Sequence, residues 1–252
     1  MKFFLSLLII VMLFNKIQAT IYGLVLSQNP PSMVSLSQFD ETSGNITILG
    51  PKHSELDGMG DLSTIDMSNK IFYYLGDTSS GTTLVGLSLT TGVEICRGVI
   101  QLVEQGFVGF GQSIDFDHQH QKLLLTGLNS NGTHSVYVTK GCVGTDLANV
   151  TKQGVFGDAS YIPMLHSSAL DEDHQRLYVS VAPTKDTVAV GMIDLRPGSH
   201  EMITLIPEEG ISNQLVGMQY DHVSEAVIGV LPDGAGGLYL NTLNVDKQGL
   251  AI

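Results

Sequence analysis

The chain has 252 residues, 12 of them Lys or Arg against 25 Asp or Glu. That balance leaves no clustered cations to neutralise phosphates and excludes nucleic acid and anionic membrane surfaces as expected partners. The two cysteines, Cys96 and Cys142, show neither a Cys-x-x-Cys nor a zinc-ligand spacing, which excludes a zinc knuckle and a paired redox thiol.

Met1 and Lys2 lead into an apolar run over 3–14 that closes on the small residue Ala19. This pattern predicts a secretory signal peptide over 1–19. The apolar core is too short for the roughly 20 residues a bilayer span needs, and no later segment qualifies, so no membrane span is expected. Loss of Lys2 and Lys16 leaves an acidic mature chain, expected to be secreted and extracellular. The sequons at Asn45, Asn131 and Asn149 are predicted glycan acceptors. In an oxidising compartment Cys96 and Cys142 are expected to pair; two buried thiols are the alternative.

From residue 20 onward the chain shows almost no helical periodicity. Short apolar or alternating runs are separated by Gly, Asn, Asp, Ser and Pro, which predicts an all-β protein. The first runs cover 21–26, 33–38 and 45–49, with a turn over 40–44. Four related stretches follow. Ser63-Thr64-Ile65-Asp66 precedes a strand at 70–75, and Ser113-Ile114-Asp115 one at 122–125. Ser168-Ala169-Leu170-Asp171 precedes 176–179, and Met218-Gln219-Tyr220-Asp221 precedes 226–229. Their aspartates recur at intervals of 49, 56 and 50 residues, the length of one four-stranded propeller blade. The expectation is a single domain over 20–252, a β-propeller of about five blades at approximately 20–52, 60–100, 110–159, 165–209 and 214–252. The first unit lacks its first strand and the sequence stops inside the fourth strand of the fifth. An incomplete last blade and a chain that is part of a longer one both remain open.

The unit around Gln175-Arg176-Leu177-Tyr178-Val179-Ser180 resembles the blades of YVTN-type and lactonase-like secreted propellers. Lys70-Ile71-Phe72-Tyr73-Tyr74-Leu75-Gly76-Asp77 resembles YWTD blades, with tyrosine in place of tryptophan. The chain contains no tryptophan, unlike WD40 and quinoprotein blades. The resemblance implies a fold and leaves the function to be argued from a site.

Asp66, Asp115, Asp171 and Asp221 end the predicted first strands, where carboxylates accept hydrogen bonds from turn N–H groups. His118, His174 and His222 follow at related turn positions, which by recurrence are expected to be spread around the rim, too far apart to share a metal. By resemblance to propellers, a unique site lies where the first strands begin, around the central channel. That implies Asp61, Gln112, His166 and Gln214 as ligand-binding residues and Asp57 with Asp61 as metal ligands. Asp77, Asp186 and Asp233 join them from the loops between second and third strands. No motif requires a cofactor; calcium is the ion these oxygen-rich loops would suit, and it would resemble the calcium centre of secreted lactonases. The glycine-rich stretch 106–111 opens no helix and so cannot act as a phosphate loop, and no serine-hydrolase or zincin motif is present. The reading is a secreted binding protein that presents loops to an extracellular protein or glycan and is not an enzyme. The alternative is a calcium-dependent lactonase or esterase-type hydrolase with its metal in the central channel.

Overall fold

A computed structural model describes residues 21–27, 33–40, 42–54, 63–78, 81–100, 107–131, 133–141, 150–156, 168–184, 187–197, 199, 202–205, 217–232 and 238–244. The described residues contain no helix. Among the described residues, eighteen strands form five small antiparallel sheets of three or four strands, each a meander in which successive strands pair.

The chain divides into two compact units, Met1–Ser54 and Glu55–Ile252. The first holds one three-stranded sheet: β1 (Ile21–Ser27), β2 (Met33–Phe39) and β3 (Ile46–Ser54). Its second turn is built by Asp40, whose Oδ1 accepts the N–H groups of Thr42 and Ser43 at 2.9 Å each. Those two backbone bonds, Ser43 first, hold the carboxyl below its ordinary pKa. Gly44 follows at φ +73°, with no atom near the place of a Cβ.

The second unit holds the other four sheets. Sheet 2 comprises β4 (Ser63–Asp66), β5 (Ile71–Thr78), β6 (Gly81–Ser88) and β7 (Glu94–Val99). Sheet 3 comprises β8 (Phe107–Asp117), β9 (Lys122–Asn129), β10 (His134–Thr139) and β11 (Thr151–Phe156). Sheet 4 comprises β12 (Ser168–Asp171), β13 (Arg176–Thr184), β14 (Thr187–Asp194) and β15 (Met202–Leu205). Sheet 5 comprises β16 (Gly217–Asp221), β17 (Ala226–Pro232) and β18 (Leu238–Asn244). Between sheets it is the first strands that approach one another, β4 beside β8, β8 beside β12 and β12 beside β16. Sheets that turn their first strands toward a common side and cover one another's faces form a propeller. Residues 107–111 of the glycine-rich stretch lie in β8, the longest described strand, whose pairing with β9 shifts register between Phe107 and Gly109 and again between Gly109 and Ser113.

The alternation of strand side chains explains how the sheets hold together. Leu123 and Leu125 of β9 join Tyr73, Leu75, Leu84 and Phe116 in a core between sheets 2 and 3. Leu124, between them in sequence, points the other way and packs with Leu170, Leu177, Val179 and Ile193 between sheets 3 and 4. All three leucines are fully buried, worth about 2 kcal/mol each in transfer free energy. A strand so short would be marginal alone; buried on both faces it is stable.

Gly141 seals the first of these seams. It adopts φ +69°, and a Cβ built there would stand 2.6 Å from the Tyr73 hydroxyl and 3.0 Å from its Cζ. Gly141→Ala is therefore expected to lose about 2 kcal/mol in urea unfolding, from left-handed backbone strain and displacement of the buried ring. An unchanged midpoint and slope would show that the ring yields freely.

Candidate metal centre

Each first strand of the second unit ends in an aspartate that builds the turn into the second strand. Asp66 accepts the Asn69 N–H at 2.9 Å and its side-chain amide at 2.7 Å. Asp117 accepts the His120 N–H at 2.9 Å, with the His120 Nδ1 at 2.9 Å from its other oxygen. Asp171 makes the same pair with His174, at 3.1 and 2.8 Å. Asp221 accepts the Val223 and Ser224 N–H groups and the Ser224 hydroxyl. Four residues past each aspartate the chain turns left-handed, at Lys70, Gln121, Gln175 and Glu225 (φ 51–57°), and the second strand starts at the next residue.

This geometry corrects two sequence expectations. The second of these turn aspartates is Asp117, not Asp115: Asp115 lies two residues earlier on the same strand face and instead accepts the Ser168 hydroxyl of the neighbouring sheet. The histidines also fall into two classes. His120 and His174 stand three residues past their aspartates and bond back to them, whereas His118 and His222 stand one residue past and reach sideways.

The sideways residues link neighbouring turns. Glu172 takes the His118 N–H at 3.0 Å and lies 2.8 Å from its Nδ1, and the Gln119 amide donates to Asp173 at 2.6 Å. Gln175 reaches back to Asp117 at 3.3 Å. Burial works to raise the pKa of Asp117, but the bonds from His120 and Gln175 outweigh it and hold the carboxyl below its ordinary value.

Between sheets 4 and 5 this arrangement brings together Asp171, Asp173 and His222, one donor atom from each lying within 4.8 Å of the others. The three turn histidines are not brought together in any such group among the described residues; one of them, His222, meets two aspartates of the neighbouring turn, a combination the sequence reading does not consider. Adjacent turns are neighbours even though their residues are some fifty positions apart. The same three positions carry Asp66, Ser68 and His118 between sheets 2 and 3, and Asp117, Gln119 and Glu172 between sheets 3 and 4. At these three positions, two carboxylates with an imidazole occur at this seam alone among the described turns.

The donor chemistry fits a divalent ion. Asp171 is fully buried and fixed by His174, while the side chains of Asp173 and His222 are 61% and 46% exposed. Their nearest approach is 3.5 Å, from His222 Nδ1 to an Asp173 oxygen. Ligand atoms around a tetrahedral ion at 2.0–2.2 Å stand roughly 3.4 Å apart, so modest movement of the two exposed side chains completes the set. Three protein donors leave positions for water or substrate, the arrangement of catalytic rather than closed structural sites. The expectation that the chain is not an enzyme is corrected on this ground.

Of the channel residues predicted from sequence, Asp57, Asp61, His166 and Gln214 lie outside the described residues, as do Asp186 and Asp233. Gln112 lies in β8 and Asp77 in β5. The metal candidate sits at the opposite end of the first strands from the segments that lead into them. Asn45 and Asn131 are exposed and Asn149 lies outside the described residues, with residues 1–19. Cys96 is disulfide-bonded; the other cysteine of the sequence, Cys142, lies outside the described residues. Among the described residues no helix is long and apolar enough to cross a membrane.

No protein-family model matches the sequence, and no curated protein matches it. Solved structures do. The chain is similar to TolB from Acinetobacter baumannii, with a TM-score of 0.55 and 10% identity, over 89% of this chain and 52% of that one. It is also similar to the β-propeller domain of Myceliophteria thermophila Cps50 (Swd1), with a TM-score of 0.50 and 10% identity, over 84% of this chain and 66% of that one. The chain thus spans about half the length of TolB. At such identities the likeness is one of propeller fold, and it does not single out YVTN- or YWTD-type blades.

Proposed function

We propose that this protein is a secreted propeller that binds a divalent cation through Asp171, Asp173 and His222 and acts as a cation-dependent hydrolase of lactone or ester substrates. The observation that carries the reading is the convergence of those three donors at one blade seam. Asp171 supplies a fixed carboxylate whose orientation is set by the turn. Asp173 and His222 are exposed and can close on the ion from the solvent side. A divalent ion held there supplies Lewis acidity toward a carbonyl oxygen and lowers the pKa of a bound water. Calcium suits the two carboxylates, whereas the imidazole favours zinc or manganese, so the ion is assigned by titration.

In thermal denaturation, an ion at a hundredfold excess over its Kd is expected to add about 2.7 kcal/mol, a rise of roughly 5–10 °C. Asp173→Asn should abolish that rise, and chelation should abolish turnover on a panel of lactones and aryl esters. A melting temperature indifferent to calcium, zinc and manganese would remove the reading.

A further inference from the structure

The hydrogen bonds already made by the two candidate carboxylates limit how they can meet an ion. Asp171 has both oxygens engaged within its own turn: the His174 N–H donates to Oδ1 at 3.1 Å, and the His174 Nδ1 lies 2.8 Å from Oδ2. Asp173 is divided between its neighbours. Its Oδ1 accepts the Gln119 side-chain amide from the turn of sheet 3 at 2.6 Å, and its Oδ2 is the oxygen that lies 3.5 Å from His222 Nδ1. Two-point chelation needs both oxygens of a carboxylate turned to one ion at once, which neither residue offers without giving up a bond. A carboxylate oxygen that accepts one bond keeps a further lone pair, so each residue can still give an ion a single contact.

Two single oxygens and one imidazole nitrogen suit different ions unequally. Calcium takes about six to eight oxygen ligands, carboxylates often giving it both of theirs, so this set would leave most of its shell to water. Zinc takes about four ligands, accepts imidazole nitrogen beside single carboxylate oxygens, and in catalytic sites keeps one position open. Imidazole adds to the preference, being a ligand of zinc and its transition-metal neighbours rather than of calcium. Gln119 has a part in the choice. Asp173 is exposed, and such a side chain samples several staggered rotamers when unrestrained; the bond from Gln119 holds Oδ1 toward sheet 3 and leaves Oδ2 facing the imidazole.

We propose that this seam takes a zinc-class transition-metal ion in preference to calcium, and that Gln119 is a positioning residue that enforces the preference by keeping Asp173 to one oxygen, an inference that rests on the cation reading above. Calorimetric titration of the intact protein with zinc and calcium chlorides is expected to give a zinc Kd at least about tenfold below that of calcium. Gln119→Met keeps the length of the side chain and removes the amide. Its zinc Kd should rise about tenfold, while its calcium Kd does not rise, because Asp173 regains its second oxygen. The melting temperature of the ion-free variant should match wild type, the lost bond being an exposed one. Gln121→Met, on the same turn, removes an amide that bonds the His118 carbonyl and Ser68 and no candidate donor, and should leave both Kd values as they are. Calcium binding as tight as zinc would overturn the choice of ion while the site stands. An unchanged zinc Kd in Gln119→Met, or equal weakening of both ions there, would overturn the role of Gln119. Absence of binding of either ion by the wild type, or undiminished binding by Asp173→Asn, would overturn the cation site and this inference with it.

Discussion

Cys96→Ser is expected to lower the stability of the protein by about 4 kcal/mol. Cys96 lies on β7, the outer strand of its sheet, half-buried against the core between sheets 2 and 3. The sequence holds a single other cysteine, Cys142, 46 positions away. A cross-link closing a loop of that length removes enough entropy from the unfolded chain to account for the figure. Urea unfolding should give the same loss for Cys96→Ser, for Cys142→Ser and for the reduced wild type, with a non-reducing digest yielding one peptide that joins the two positions. Unequal losses in the two variants would mean that packing of Cys96, and not the bond, carries the effect.

Acidification from pH 7 to pH 4 is expected to cost about 3 kcal/mol through His134 alone. This residue opens β10 and is 2% exposed, and burial pushes its pKa down to about 4. The unfolded chain, with an ordinary imidazole near pKa 6.5, binds the proton first. Stability is therefore full above pH 6.5 and declines as the pH falls toward 4. The carboxyls of Asp40, Asp117 and Asp221, held below their ordinary values, act in a separate window, losing their contribution only as the pH drops beneath about 3.8. Urea unfolding at pH 7, 5.5 and 4.5 should show a much shallower decline for His134→Gln than for wild type. Parallel declines would place the acid sensitivity elsewhere.

Strands and hairpins were legible in the sequence because alternation and turn residues are local signals. The period near fifty was legible because each turn aspartate does the same job. The slip at Asp115 shows the limit of that logic. In Ser113-Ile114-Asp115-Phe116-Asp117 two carboxylates share one strand face, and likeness to Ser63-Thr64-Ile65-Asp66 favours the wrong one. The distance from aspartate to second strand decides it: Ile71, Lys122, Arg176 and Ala226 each stand five residues past Asp66, Asp117, Asp171 and Asp221. The metal candidate escaped because its chemistry lies in what varies between repeats. Ser68, Gln119 and Asp173 occupy one turn position, and only the three-dimensional placement of the next blade tells which of them meets a histidine.

The polar rim that ties the turns together is uneven. Between the third and fourth sheets it has several short links, among them His118 to Glu172 at 2.8 Å and Gln119 to Asp173 at 2.6 Å. Between the fourth and fifth, the described exposed side chains show one link, the 3.5 Å approach of His222 to Asp173. In a protein assembled from repeats each joint carries its own share of cohesion, so local breathing concentrates where the fastening is thinnest. An ion lodged at that joint would work as a buckle between two neighbouring blades.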